Sequence, residues 1–239
     1  MARIHGKGSK YLIRQDWVSR IFSVIYLLIL GLVLWAIFVE NLANLSTISS
    51  TVTAIILVAP LTWFIYRLYK KQRETSGRFS KGRKSEEIIL NELSKLPDDY
   101  VILQGLEIKG GDIDFTVVGP TGIFAIDAKS HSGEITFNGK ELLRDNASFE
   151  KNILSQSKNE ALRLQKIILE RTDRKYFVTP VIVFSSPFAR LKFGSKPVEN
   201  VLIIGKEFLN KAIMEKSPDL SPKEVLRVEK EVLYKLQKQ

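Results

Sequence analysis

The stretch DIDFTVVGPTGIFAIDAK, Asp112 to Lys129, decides how the rest of the chain is read. Two apolar runs flank a Gly-Pro-Thr-Gly turn, so it reads as a β-hairpin with strands over Ile113–Val118 and Ile123–Lys129. Strand interiors are poor hosts for Asp and Lys. Yet Asp114 stands near the start of one strand, and Asp127 and Lys129 end the other. Residues two apart on a strand leave the same face, so Asp127 and Lys129 share one. The tight turn brings Asp114 toward them from the neighbouring strand. Two carboxylates held together repel, and one takes up a proton unless a cation relieves them. Hard Mg²⁺ accepts one or two carboxylates together with waters and phosphate oxygens. A lysine beside it can act on metal-bound water or on charge developing at a phosphate. Asp114, Asp127 and Lys129 are thus a minimal set for hydrolysing a phosphodiester with Mg²⁺ or Mn²⁺. The expected carboxylate spacing is metal-bridging, roughly 4 to 6 Å. The competing reading makes them salt-bridged charges at the rim of a sheet.

Outward from the hairpin, apolar periodicity gives the rest of a domain. SEEIILNELSKL carries Ile89, Leu93 and Leu96 at helical spacing, with Glu86 and Glu87 in the first turn, where the helix dipole favours acids. Tyr100–Ile108 reads as a strand and Gly110-Gly111 as a turn. GEITFNGKELL reads as a second hairpin turning at Asn138-Gly139. A long helix is expected from about Ser148 to Arg171, its stripe formed by Leu154, Ala161, Leu164 and Ile168. Tyr176–Ser186 is a continuous apolar run and reads as a buried strand. NVLIIG gives another strand, followed by a short helix near Lys206–Met214. Ser221-Pro-Lys-Glu224 is a capping box that opens a last amphipathic helix. The order implies an α/β domain with a mixed sheet.

Upstream the composition changes. Residues 21–39 and about 48–66 are free of charge, and each approaches the roughly 20 residues that cross a bilayer core. Glu40–Thr47 between them lacks Lys and Arg, while basic residues flank both sides, Arg3 to Arg20 before and Arg67 to Arg73 after. The positive-inside rule places both ends in the cytosol and the linker outside. This gives a basic leader (1–20), two transmembrane helices with a short external loop (21–67), a basic linker (68–80), the α/β domain (81–215) and a C-terminal amphipathic helix (216–239). The expected location is the inner cell membrane, with the basic flanks against anionic lipid. These flanks account for part of the net charge of +10, which weakens a basic pI of 9.6 as evidence for nucleic acid.

Other chemistries are excluded or unsupported. The 239 residues contain no Cys and only two His, His5 and His131, which rules out disulfides, thiolate metal sites and a His-rich zinc site. There is no G-x-x-x-x-G-K-[ST] loop and no convincing Ser-His-Asp set. His131, close after Lys129, is expected in a solvated turn, with a phosphate contact as the alternative. Gly82, Arg83 and Lys84 suit a phosphate contact and juxtamembrane charge equally.

The chain resembles the nuclease-related domain (NERD) family, a branch of the PD-(D/E)xK nucleases. The matching segments are GRKSEEIILNEL, GGDIDFTVVGPTGIFAIDAKSHSGEI, NILSQSKNEALRLQ and VTPVIVF, spanning about Lys81 to Ile204. The resemblance implies a restriction-endonuclease-like mixed sheet flanked by helices, here preceded by the transmembrane hairpin. It implies that Glu86 is the helix acid, with Glu87 as the alternative register. It makes Asp114 the first strand acid, Asp127 and Lys129 the acid-x-Lys pair, and Gln156 the later helix glutamine. Glu86, Asp114 and Asp127 would be the metal ligands. Ser85 stands where the family has its second glycine, and Asp127 where Glu is more usual. The implied function is a Mg²⁺- or Mn²⁺-dependent nuclease at the cytosolic face of the membrane, acting on nucleic acid, DNA before RNA. The alternative is a NERD module with little or no turnover that binds nucleic acid or a partner there.

Overall fold

The computed structural model describes residues 1–6, 81–108, 111–194 and 197–237, together with single helical positions at 24, 28, 31, 35, 63, 66, 67 and 70. Beyond those positions, the two stretches on which the membrane hairpin rests lie outside the described residues. Among the described residues no helix is long and apolar enough to cross a membrane. The chain divides into two compact units, one of Met1–Gly8 with Lys81–Gln239 and the other of Ser9–Ser80.

Among the described residues the larger unit holds ten strands: β1 (Arg3–Gly6), β2 (Val101–Ile108), β3 (Gly111–Gly119), β4 (Gly122–Lys129), β5 (Gly133–Phe137), β6 (Leu142–Arg144), β7 (Ala147–Ser148), β8 (Val178–Phe184), β9 (Ala189–Leu191) and β10 (Leu202–Gly205). Its helices are α1, helical over 81–93, α2 (Ile153–Thr172), α3 (Leu209–Met214) and α4 (Pro222–Gln237). The main sheet has the order β1-β2-β3-β4-β8-β10. It is mixed: β2, β3 and β4 run antiparallel, whereas β1, β8 and β10 join their neighbours in parallel. A mixed sheet flanked by helices fits a nuclease-like fold.

Strand alternation sorts the core into two layers. Phe115, Val117, Phe124, Ile126, Val181 and Val183 pack with α1 and α3 through Ile89, Leu93, Leu209 and Ile213. Val101, Leu103, Val118, Ile123 and Ala125 pack with α2 and α4 through Ala161, Leu164, Ile168, Val225, Val228 and Val232. The C-terminal helix, separated at residue 216 by its amphipathic pattern, is thus a wall of the same unit. Its capping box forms, with the Glu224 carboxylate folding back to accept from Ser221 N–H (2.9 Å) and Oγ–H (2.7 Å). The hairpin turn is held by Tyr100, whose ring lies where a side chain at Gly119 would be and whose hydroxyl meets Thr121 Oγ1 at 2.9 Å.

Three features depart from the sequence reading. Arg3–Gly6, in the expected leader, is an edge strand of the main sheet, in register with Val101–Gln104. Arg3 and His5 bind the two oxygens of the buried Glu229 carboxylate on α4, at 3.0 and 3.1 Å. The GEITF hairpin belongs to a separate sheet of order β7-β6-β5-β9. Its turn forms at Asn138, whose Oδ1 accepts from the N–H groups of Lys140 and Glu141 (both 2.9 Å). The long helix starts at Ile153 rather than Ser148, because Asn152 caps it by accepting from Ser155 N–H at 3.1 Å.

Candidate functional site

The β3–β4 ladder stops at the pair Phe115 and Ile126. The next residue back on β3 is Asp114, and its Oδ2 accepts the N–H of Ala128 at 2.8 Å, a side chain taking over where the ladder ends. Since Phe115, Val117, Phe124 and Ile126 face α1 and α3, alternation turns Asp114, Asp127 and Lys129 to the α2 and α4 face. Asp127 and Lys129 are nearly buried, their side chains 6% and 15% exposed. Lys129 Nζ lies 2.7 Å from Asp127 Oδ1. Asp127 Oδ2 is buried and has no hydrogen-bond partner among the described residues.

Two helices bring further groups. On α1, Ser85 is buried and its hydroxyl donates to Ser185 Oγ (2.8 Å), while Ser185 N–H donates to Lys129 O (2.9 Å). This chain of contacts pins α1 to the ends of β8 and β4, and so sets the turn that carries Glu86. The serine that departs from the family pattern is therefore a fastening point. Glu86 is partly buried and its charge acts on Asp114, whereas Glu87 is exposed. On α2, Gln156 Nε2 donates to Glu160 Oε1 at 2.9 Å, and Glu160 is only 5% exposed.

The electrostatics follow from this crowding. Burial, then the Asp127 charge, hold Asp114 well above the usual carboxylate range; the Ala128 N–H and Lys129 oppose them. Burial raises Glu86. Glu160 is raised to about 7, by burial first and then by the charge of Asp127, against the Gln156 hydrogen bond and the charges of Lys129 and Arg163. Glu86, Asp114, Asp127 and Glu160 thus form a sequence of interacting acids running from α1 through the hairpin to α2. Glu160 escaped the sequence reading. Its one signal is that an acid occupies a core-facing position of α2, with Ser157, Ala161 and Leu164.

His131 does not lie in a solvated turn. Its ring packs edge-on against Phe149 with centroids 5.1 Å apart, and its Nδ1 is buried without a partner among the described residues. Burial, reinforced by Arg144 and Lys129, lowers its pKa. Arg83 and Lys84 are exposed on the first described turn of α1.

Among the described residues no three His, Cys, Asp or Glu side chains are already gathered as a metal cage. The donor set nevertheless suits a hard cation: the unpartnered oxygen of Asp127, the neighbouring Asp114 and the approaching Glu86 are all carboxylates. Residues 81–185 match the family model described as NERD, nuclease-related domain. No curated protein and no solved structure matches the chain. The match to a nuclease-related domain lies within the α/β unit, and every side chain of the site falls inside residues 81–185.

Proposed function

We propose that the chain is a membrane-anchored, metal-dependent nuclease hydrolysing phosphodiester bonds of nucleic acid, with DNA as the first substrate to test. The observation that carries this reading is the unpartnered, buried Oδ2 of Asp127 beside a second carboxylate, Asp114. A buried carboxylate oxygen without a donor costs stability, and a cation offsets that cost. Asp114, Asp127 and Glu86 would hold Mg²⁺ or Mn²⁺. Such an ion, when bound, supplies Lewis acidity at the phosphate and a more acidic water. Lys129 Nζ lies 2.7 Å from Asp127, where the ammonium can stabilise the developing phosphate charge or, in its neutral form, the amine can take a proton from the attacking water. Gln156 contributes a neutral amide at the α2 side.

Charge distribution separates the anchor from the domain. Residues 1–80 hold ten Lys and Arg against three Asp and Glu, and residues 81–239 hold 26 against 23. Most of the excess therefore flanks the apolar stretches, where it suits anionic lipid. Val24, Leu28 and Trp35 are helical and exposed, at a spacing that shares one helix face, and such a stripe suits lipid better than water. Met1–Gly6 and Lys81 onward belong to one folded unit, so any bilayer crossings in Ser9–Ser80 must be even in number. That requirement agrees with two spans and both termini in the cytosol.

A second reading, a NERD module that binds nucleic acid or a partner without turnover, is favoured by one observation. Lys129 already neutralises one oxygen of Asp127. The deciding experiment is cleavage of mixed DNA and RNA substrates by the detergent-solubilised chain, with Mg²⁺ or Mn²⁺ and with EDTA, beside Asp127→Ala. Metal-dependent cleavage lost in Asp127→Ala supports the enzyme. Binding without cleavage in both proteins supports the module.

A further inference from the structure

Glu160 is the least expected group at the site. It is 5% exposed, and its hydrogen-bond partner among the described residues is the Gln156 amide one turn earlier on α2. A helix pair at i,i+4 contributes only about 0.2–0.5 kcal/mol, far less than burying a carboxylate costs. Helix stability therefore does not account for it. Nor does core packing, since an apolar residue would fill the position without that cost.

Its effect on Gln156 does account for it. A glutamine amide has two N–H donors on one side and an acceptor oxygen on the other, and can flip between them. An ionised carboxylate accepts only. Once ionised, above about pH 7, Glu160 therefore selects the orientation with the amide nitrogen turned toward it, at 2.9 Å. The Gln156 oxygen and second N–H form no other side-chain hydrogen bond among the described residues, and Gln156 is partly exposed. α2 packs against β4 on the sheet face that carries Asp127 and Lys129, which puts the pair on the side of the acid-x-Lys motif, and Glu160 senses the charges of both. Asp127 supplies an independent sign that a ligand belongs there, through its buried and unpartnered oxygen.

We propose that Glu160 is a positioning residue that locks the Gln156 amide, leaving its oxygen to orient the water or phosphate that reacts beside Asp127. This rests on the nuclease reading above, and the test is built to separate the two. The full detergent-solubilised chain is compared with Glu160→Ala and Glu160→Gln. One readout is steady-state cleavage of a defined oligonucleotide with Mn²⁺. The other needs no activity: hydrogen exchange of the Gln156 side-chain amide, in protein labelled with ¹⁵N-glutamine and assigned by loss of the signal in Gln156→Ala. Glu160→Ala should lower kcat roughly 10- to 100-fold with KM little changed, and should speed the Gln156 exchange to that of an exposed amide. Glu160→Gln keeps an acceptor oxygen but adds a donor, so it should restore kcat and slow exchange in part. A merely structural role would lower kcat in proportion to folded protein and would not be rescued by Gln. The proposal is overturned if Glu160→Ala leaves Gln156 exchange unchanged, or if Glu160→Gln loses as much as Glu160→Ala. If the parent itself cleaves nothing while exchange responds as stated, the positioning role stands and the nuclease reading fails.

Discussion

Lys129 Nζ lies 2.7 Å from Asp127 Oδ1, and the other oxygen of that carboxylate is buried with no partner. One carboxylate thus has one oxygen for the protein's own cation and one for another. Lys129→Ala should therefore still bind Mn²⁺, and removing a competing cation should tighten that binding. Cleavage should fall roughly 100-fold or more, the size of a lost general acid-base or charge-stabilising group. Asp127→Ala should lose both. Lys129→Arg separates the two roles of the lysine, because it keeps the charge and cannot give up a proton. Calorimetric Mn²⁺ titration beside single-turnover cleavage decides the matter. A Lys129→Ala protein that cleaves like the parent would move the binding-module reading to first place.

The crowded acids also predict a pH dependence. Glu160 is raised from 4.5 to about 7, so the folded state keeps a proton that the unfolded chain releases within that window. Stability from this group is therefore full below the window and falls as pH rises through it, by up to about 3 kcal/mol. Asp114 and Glu86 are raised and act with the same sign, whereas the lowered His131 acts with the opposite sign. Glu160→Gln removes one contribution and leaves the others. Without metal, the Tm of Glu160→Gln relative to the parent should climb as pH goes from 5 to 7.5, by roughly 5–10 °C. A gap that stays flat across that range would show that Glu160 does not titrate there.

Ser85 gives a third prediction, about geometry rather than charge. Its hydroxyl joins α1 to Ser185, and Ser185 is bound to the Lys129 carbonyl. Ser85→Ala should cost about 1–2 kcal/mol by leaving buried polar groups unsatisfied. Ser85→Gly, the residue usual in the family, should cost up to about 1 kcal/mol more as a helix-interior glycine. Since Glu86 is the next residue, Mn²⁺ affinity should weaken in both variants, more so in Ser85→Gly. Unchanged affinity alongside lowered stability would mean that Glu86 takes no part in holding the ion.

Much of the fold was legible because it rests on local signals. The alternation around Phe115, Val117, Phe124 and Ile126, the buried stripe of α2 and the capping box at Ser221 each state their structure within a few residues. The site was half legible. Asp114, Asp127 and Lys129 stand out as polar residues in an apolar hairpin, while Glu86 and Gln156 came through resemblance alone. Glu160 lies in a helix rich in charged residues, where its one signal is a core-facing position in line with Ser157, Ala161 and Leu164. His131 follows a strand end, and only the fold brings Phe149 against it. The pairing of Arg3–Gly6 with Val101–Gln104 joins segments about 100 residues apart, and no local pattern carries such a contact.

That long-range pairing yields the last prediction. With β1 and β2 in one sheet, and with Arg3 and His5 bound to Glu229 on α4, the N-terminus and the rest of the α/β unit must share one side of any membrane. The chain has no Cys, so single cysteines report without background. In intact cells, Asn44→Cys in the linker should react with an impermeant maleimide. Lys140→Cys, exposed at the hairpin turn of the small sheet, should react only after permeabilisation, and so should a cysteine tag placed before Met1. Labelling at 140 but not at 44 would put the domain outside the cell and away from nucleic acid. Opposite results at the N-terminal tag and at 140 would mean that β1 does not pair with β2, and the requirement for an even number of crossings would fall with it.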